Sequence, residues 1–412
     1  MRIRTFQGLS PAPQHAAAVA AVPYDVVNRD EAAALAAGNP LSLLHVDRAE
    51  IDLDPDIDPY SPAVYAQARS AFETLQTDGI LQREPAPCMY LYRQSIGDHS
   101  QTGLVAVCHI EDYENNIIKK HEKTRADKEK DRTTLVDTLS ANTGPIFLTY
   151  NGRPGVQALI DNHLATEAPI YDVAAPDGVR HQVWRLPNST ALPITSIFAE
   201  QIPAAYVADG HHRAASAFNV GKQRREANPN HTGQENYNWF LSVLFPASEL
   251  KILPYNRAVK DLNCQSREEF LAKVGSIFSI EPTTEKSPSK TGECCMYLKS
   301  QWYRLNWQPA ADASPIDLLD VSILQDRLLA PVLGIDDPRT SKRIDFIGGI
   351  RGTAELEKLV DSRDFAVAFS MYPVTVEQLM AISDADEIMP PKSTWFEPKL
   401  RSGFFVHTLG EP

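Results

Sequence analysis

Apolar and polar positions along this chain follow two periodicities, one typical of helices and one typical of strands. Between residues 63 and 76 the apolar side chains recur at helical spacing, and Asp78-Gly79 ends the predicted helix. Two apolar segments at 88–94 and 103–110, joined by a polar stretch, predict a β-hairpin. Strands and helices follow one another without a strict βαβ order, which favours an α+β fold.

The same patterns predict the remaining elements. Strands are expected at 41–46, 145–150, 169–173, 181–186, 239–246, 296–305 and 365–372. Helices are expected at 29–37, 133–141, 154–163, 267–278, 317–329, 354–360 and 376–382. The apolar strand that ends at Pro246 divides the chain into a first half, 1–246, and a second α+β half, 247–412.

One predicted strand, turn and helix offers a frame for an anion site. The apolar run Ala204–Ala208 leads into Asp209-Gly210, and His211, His212 and Arg213 open a small-residue helix. Glycine permits a sharp turn, an aspartate can cap a helix, and the free N–H groups of a first helical turn favour anions. The alternative is an ordinary capped helix start with surface histidines.

The most charged segment runs from Lys119 to Arg132. As a helix it would place His121, Arg125, Lys128 and Arg132 on one face, which makes sense if an anion lies opposite. A solvated helix with internal ion pairs is the alternative. The zinc-protease pattern is excluded, because the residue four positions after His121 is Arg125.

Two further basic segments are candidates for binding anions. Pro338–Gly352 carries Arg339, Lys342 and Arg343 near two glycines, and could equally be an ordinary surface loop. In Pro390–Phe396, two prolines precede Lys392, Ser393 and Thr394, a cation and two hydroxyls that could clamp an anion. Neither a P-loop nor a Rossmann fingerprint is present.

Composition narrows the classes of function. The 412 residues are 43% hydrophobic and 23% charged, as in globular proteins, and the net charge of −13 argues against a nucleic acid or an anionic membrane as partner. Without an apolar run of about 20 residues or a secretory signal, a cytoplasmic protein is expected. The five cysteines form no Cys-x-x-Cys pair, so neither a disulfide framework nor a zinc–cysteine site is expected.

Three of these segments together resemble a known family. His121-Glu122, Asp209–Arg213 and Pro391–Thr394 occur in the same order in the free L-serine kinases of the ParB/sulfiredoxin-like superfamily. The whole chain is also similar to the domain of unknown function 1015 family. That similarity runs through Val22-Pro-Tyr-Asp-Val26, Thr143–Leu148, Ala208–Arg213, Lys342–Phe346 and Met389–Gly403.

The resemblance to the kinases implies a ParB/sulfiredoxin-like nucleotide-binding core with a mixed sheet, and ATP or ADP with Mg²⁺ as cofactors. The phosphates would lie at the helix that follows Gly210. The resemblance assigns their binding to Gly210, His211, His212, Arg213 and Arg125. It makes Glu122 the general base, with His121 beside it in the catalytic site. Asp209 would orient the substrate hydroxyl or help to bind Mg²⁺. Lys392, Ser393 and Thr394 would hold the acceptor.

The chain also departs from the kinase pattern. Much of Met1–Asn115 has no counterpart there, and Trp395 stands where the kinases carry basic or imidazole side chains. The expected acceptor is therefore a small hydroxyl-bearing metabolite, with L-serine the first choice. The alternative is a ParB-like regulator that binds or hydrolyses nucleotide. DNA binding is disfavoured because no helix-turn-helix is recognisable. A sulfiredoxin-like reductase is disfavoured because it would need a cysteine in the Asp209–Arg213 turn. The sequence leaves open whether the protein forms a homodimer.

Overall fold

The chain forms two compact units. The computed structural model describes residues 1–308 and 312–410. The first unit consists of Met1–Leu250 and the chain from Pro398 onward, and the second of Lys251–Glu397. The predicted second half, 247–412, is therefore corrected at its end. The final segment returns to the first unit because its apolar side chains, Phe404 and Phe405, are buried among aromatic rings there.

In the first unit a large mixed sheet is surrounded by helices, which gives the α+β class. The strands of the first unit, of which β2, β3 and β7 lie outside the large sheet, are β1 (Ile3–Arg4), β2 (Leu9–Pro11), β3 (Leu81–Arg83), β4 (Met89–Ile96), β5 (His99–His109), β6 (Ile118–Lys119), β7 (Ala141–Asn142), β8 (Ile146–Tyr150), β9 (Tyr171–Ala174), β10 (Arg180–Leu186), β11 (Ala205–Asp209) and β12 (Trp239–Pro246). Its helices are α1 (Ala16–Val19), α2 (Arg29–Ala36), α3 (Leu44–Asp47), α4 (Pro62–Thr77), α5 (Ile110–Glu114), α6 (Ala126–Leu139), α7 (Pro154–Thr166), α8 (Asn188–Gln201) and α9 (His211–Ala227).

The strand order of the large sheet places β11 next to its edge. The order is β6-β11-β8-β12-β5-β4-β10-β9, with β1 paired to β5. The β6–β11 and β8–β12 pairs are parallel and the other pairs are antiparallel. Apolar residues of β5, β8, β11 and β12 pack against α7, α8 and α9 in one core, and a second core lies among α2, α3, α4 and α6. The first 115 residues thus belong to the unit itself, since β4 and β5 are central strands.

The second unit is a six-stranded antiparallel sheet with helices. The chain enters it through β13 (Ile252–Leu253) and leaves through β20 (Trp395–Phe396), which pair with each other. Between them come β14 (Tyr255–Val259), α10 (Arg267–Ile277), β15 (Ser279–Thr283), β16 (Glu293–Leu298), β17 (Gln301–Asn306), α11 (Asp320–Leu324), β18 (Ile344–Gly348), α12 (Gly352–Asp361), β19 (Val367–Met371) and α13 (Val376–Asp384). The sheet order is β15-β17-β16-β19-β14-β18. The last strand of the chain, β21 (His407–Thr408), pairs with β7 in the first unit.

Several predicted elements are wrong in type or extent. Residues 41–46 contribute to the helix α3 instead of forming a strand, and 296–305 form two strands joined at Lys299 and Ser300. Both joining residues have positive φ angles, 46° and 63°, which a continuous strand excludes. No helix in the described residues has the length and apolar character that a membrane crossing requires.

Candidate functional site

The turn between β11 and α9 is built on Gly210. This residue has φ +92°, in the left-handed region that glycine enters without steric cost. A Cβ at this position would lie 3.0 Å from the Arg213 guanidinium carbon. Gly210, and not Asp209, is the N-cap, and no side chain in the described residues caps the helix. The predicted capping role of Asp209 is therefore wrong, and the first turn of α9 keeps its affinity for anions.

Asp209 instead lies between two cations. Lys399 Nζ donates to its Oδ1 at 3.0 Å, and Arg213 donates to its Oδ2 at 2.9 Å. Burial raises the pKa of the Asp209 carboxyl, but the charges of Lys399 and Arg213 outweigh burial and hold the pKa well below its usual range. The carboxylate is ionised at neutral pH and orders both cations around the turn.

Arg213 reaches from α9 into a small buried cavity. Its guanidinium donates to Asp209 and to the carbonyl of Pro145. The cavity measures about 30 Å³, room for roughly two water molecules. Its polar lining comes from segments far apart in the chain: Tyr24, Asp47, Arg132, Asn142, Thr143, Arg213 and Ser402.

The cavity is lined by one carboxyl group, that of Asp47, and by the two guanidinium groups of Arg132 and Arg213. Arg132 lies over the Tyr24 ring at 4.3 Å, and Thr143 Oγ1 donates to Asp47 at 2.6 Å. Burial raises the pKa of Asp47, although Thr143 and the nearby arginines act in the opposite direction. The Val22–Val26 and Thr143–Leu148 segments therefore meet the Asp209–Arg213 turn through Tyr24 and Thr143. No local pattern in the sequence groups Asp47, Arg132 or Lys399 with that turn.

Two buried imidazoles lie beside this turn. His121 follows β6 and His211 opens α9, and their side chains are edge to face with ring centroids 4.5 Å apart. Burial lowers the pKa of His121 to about 4 and that of His211 well below its usual value, so both are neutral at pH 7. Glu122 Oε2 lies 3.8 Å from His211 Nδ1.

The segment that carries His121 and Glu122 is not helical as predicted. Lys119 pairs in parallel with Tyr206 of β11, and α6 begins only at Ala126. The pairing of β6 with β11 therefore replaces the first two turns of the predicted helix. It turns His121 inward, where it is 2% exposed, and the proposed common face of His121, Arg125, Lys128 and Arg132 does not form.

His212 and Arg125 connect the segment to the turn. The backbone N–H of Arg125 donates to His212 Nε2 at 3.0 Å, so the ring proton lies on Nδ1 when His212 is neutral. The Arg125 guanidinium is exposed and pairs with Asp127 at 2.8 Å. Farther along, Asn219 of α9 donates to Glu129 of α6 at 2.8 Å, which fixes the two helices beside each other.

The predicted acceptor residues lie in the second unit. Ser393 Oγ donates to the carbonyl of Pro390 at 2.7 Å, which shapes a tight turn. Lys392 is exposed, with Nζ 5.7 Å from the centroid of the Tyr255 ring, and Arg257 donates to its carbonyl at 3.3 Å. Thr394 is half-buried. That these three residues act together with the Asp209–Arg213 turn stays a prediction.

A family model described as "Protein of unknown function (DUF1015)" matches residues 3–322. The chain belongs to this family. A search of curated proteins gave no match.

Solved structures give weaker likenesses. A free serine kinase in complex with AMP is 13% identical, with a TM-score of 0.36 over 71% of this chain and 86% of that chain. A conserved hypothetical protein from Pyrococcus furiosus is 13% identical, with a TM-score of 0.36 over 74% and 95%. SbnI with a C-terminal truncation, from Staphylococcus aureus, is 11% identical, with a TM-score of 0.40 over 74% and 87%.

The first unit of this DUF1015 chain gathers most of the predicted site residues. They come from two segments, 121–125 and 209–213, which meet through the His121–His211 and Arg125–His212 contacts. Lys399 joins them through Asp209, although no local pattern marks it. The only sequence signal for Lys399 was its place in the Met389–Gly403 segment that is similar to the family.

Proposed function

We propose that this protein transfers a phosphoryl group from ATP or ADP to a small hydroxyl-bearing metabolite, L-serine or a relative of it. A ParB/sulfiredoxin-like core in the first unit would bind the nucleotide. One observation carries the proposal: His121-Glu122 and Asp209–Arg213, the two segments that resemble free L-serine kinases, lie in direct contact. The chain separates them widely, and the resemblance required them to meet.

The nucleotide phosphates are proposed to bind at the first turn of α9. Its N–H groups and helix dipole favour negative charge, and Gly210 lets a phosphate approach the backbone closely. His212 and the exposed guanidinium of Arg125 lie at the same end of the helix. Arg125 can exchange its exposed partner Asp127 for phosphate at little cost, since exposed ion pairs contribute about 0–1 kcal/mol.

In this proposal Arg213 and Asp209 hold the phosphate-binding turn in place. Arg213 donates to Asp209 and Pro145, so its charge acts on the phosphates from a fixed position. Asp209 orients the acceptor hydroxyl and the two cations. Mg²⁺ arrives with the nucleotide, because it prefers phosphate oxygens and keeps several waters. Asp209 can become one of its ligands only after Lys399 releases Oδ1.

Glu122 is proposed to accept the proton of the acceptor hydroxyl. Its side chain is 39% exposed, enough for a substrate to reach it, and it lies beside the neutral His121 and His211. Phosphoryl transfer depends mainly on positioning and on neutralising charge, so a single carboxylate is sufficient as a base. Lys392, Ser393 and Thr394 are proposed to bind the carboxylate of the acceptor.

The test is to incubate the full chain with Mg²⁺, ATP or ADP, and a panel of hydroxyl metabolites. Phosphorus NMR should show a new phosphorylated product. Glu122→Gln should lower the rate by roughly 10²–10⁴ while nucleotide affinity stays nearly unchanged. Glu114→Gln is the matched control, because Glu114 is also 39% exposed but pairs with Arg225. Full activity in Glu122→Gln would contradict the base assignment, and hydrolysis without an acceptor product would favour the regulator.

A further inference from the structure

We propose that His121, Glu122 and His211 form a binding site for a divalent transition-metal ion. One ligand atom from each of these residues lies within 4.8 Å of the others. Two segments supply them: the loop after β6 gives His121 and Glu122, and the first position of α9 gives His211. The inference concerns a metal held by protein side chains and does not depend on nucleotide.

Two buried nitrogens in this group have no hydrogen-bond partner in the described part of the chain. They are His121 Nδ1 and His211 Nε2. Their residues are 2% and 6% exposed, so bulk solvent does not reach them. An unsatisfied buried polar atom costs about 1–3 kcal/mol, and two in adjacent rings are unusual. A metal ion is a partner that would satisfy both rings at once.

The protonation of His121 already suits a ligand. Its ring is hydrogen-bonded to the backbone of Val207, and Nδ1 has no partner, so this bond falls to Nε2. A metal-binding histidine commonly donates its second nitrogen to a carbonyl or carboxylate, which fixes the ring and leaves the other lone pair for the metal.

The donor set selects the class of metal. Two imidazoles and one carboxylate suit Zn²⁺, Fe²⁺, Mn²⁺ or Co²⁺, whereas Mg²⁺ and Ca²⁺ prefer oxygen ligands alone. Ligand atoms around tetrahedral zinc lie roughly 3.3 Å apart, given bonds of about 2.0–2.1 Å. The three ligand atoms of the group lie within 4.8 Å of one another, so binding needs a contraction of roughly 1.5 Å at most. Three protein ligands leave a position open for water or a substrate oxygen.

Direct titration with Co²⁺ tests the site. The full chain is treated with a chelator, dialysed and titrated without nucleotide, while visible absorption reports the coordination geometry. We expect one Co²⁺ per chain, strong absorption bands of a four- or five-coordinate ion, and displacement by Zn²⁺. Glu122→Gln should weaken Co²⁺ binding at least about tenfold and change the bands, since it removes a charged ligand.

Two variants serve as controls. Glu114→Gln changes a carboxylate of equal exposure outside the group. His181→Gln changes another buried histidine with an unpaired Nε2, but His181 bonds Tyr92 and is not part of the group. Both should bind Co²⁺ as the parent does. Absence of a one-to-one complex, or equal affinity in Glu122→Gln and Glu114→Gln, would overturn the proposal. Neither result bears on phosphoryl transfer, which the NMR assay measures with Mg²⁺ alone.

Discussion

The ion pair between Lys399 and Asp209 should contribute substantially to the stability of the first unit. The atoms are 3.0 Å apart, and the side chains are only 13% and 25% exposed. At an effective dielectric constant of about 20, two charges at this distance attract by roughly 5–6 kcal/mol before desolvation is subtracted. Removing one partner of a buried pair costs about 3–5 kcal/mol. Because Arg213 still neutralises Asp209, we expect a smaller coupling energy of about 2 kcal/mol.

A double-mutant cycle measures this coupling. Lys399→Met, Asp209→Asn and the double variant are unfolded in urea, with tryptophan fluorescence as the signal. The comparison is Arg69–Glu73 on α4, a pair of nearly equal length, 2.9 Å, but with side chains 62% and 58% exposed. That pair should couple by about 0.3–0.5 kcal/mol. If the two cycles give the same small value, burial does not strengthen the Asp209 pair and the reasoning fails.

Three further predictions concern pH, packing and metal. Burial raises the pKa of Asp320 to about 6, so between about pH 4 and 6 the folded state holds a proton that the unfolded state has lost, and the free energy of unfolding falls as pH rises through this range. Asp320→Asn should raise the free energy of unfolding, measured in urea, by about 1–3 kcal/mol at pH 7.5 and leave it unchanged at pH 4. Gly221→Ala should destabilise by about 2 kcal/mol in thermal unfolding despite better helix propensity, because its Cβ would lie 2.3 Å from the Tyr237 carbonyl; Gly155→Ala, with a nearest contact of 3.2 Å, is the milder comparison. Zn²⁺ should lower Mg²⁺-dependent transfer about 100-fold as its site fills, since a bound Glu122 cannot accept a proton, and a chelator should restore it; unchanged rates at full Zn²⁺ occupancy would show that Glu122 is not the base.

The strand, turn and helix around Asp209 were accessible from the sequence because local chemistry determines them. An apolar run predicts β11, a glycine permits the turn, and small residues predict α9; the structure confirms all three. The sequence order of the His121-Glu122 and Asp209–Arg213 segments also indicated, by resemblance, that they would meet.

Other parts of the site depend on contacts that no local pattern reports. Local polarity predicted a solvated helix from Lys119, but pairing with Tyr206 of β11 makes Lys119 part of a strand and buries His121. Asp209 was assigned to capping or metal binding because its partner Lys399 lies 190 positions away. The helix α8 was missed, and it contains Pro193, a residue that argues against helix in any local reading.

The return of the chain to the first unit sets an order of events during synthesis. Asp209 is synthesised before any residue of the second unit, whereas Lys399 and β21 are synthesised after the last residue of that unit. Until then Asp209 lacks one of the two cations that it pairs with, and β7 lacks its neighbour. The second unit is in effect a long insertion whose two connecting strands, β13 and β20, are paired. A chain cut short before Lys399 would therefore carry both the His121-Glu122 and the Asp209–Arg213 segments and yet lack the lysine that pairs with Asp209.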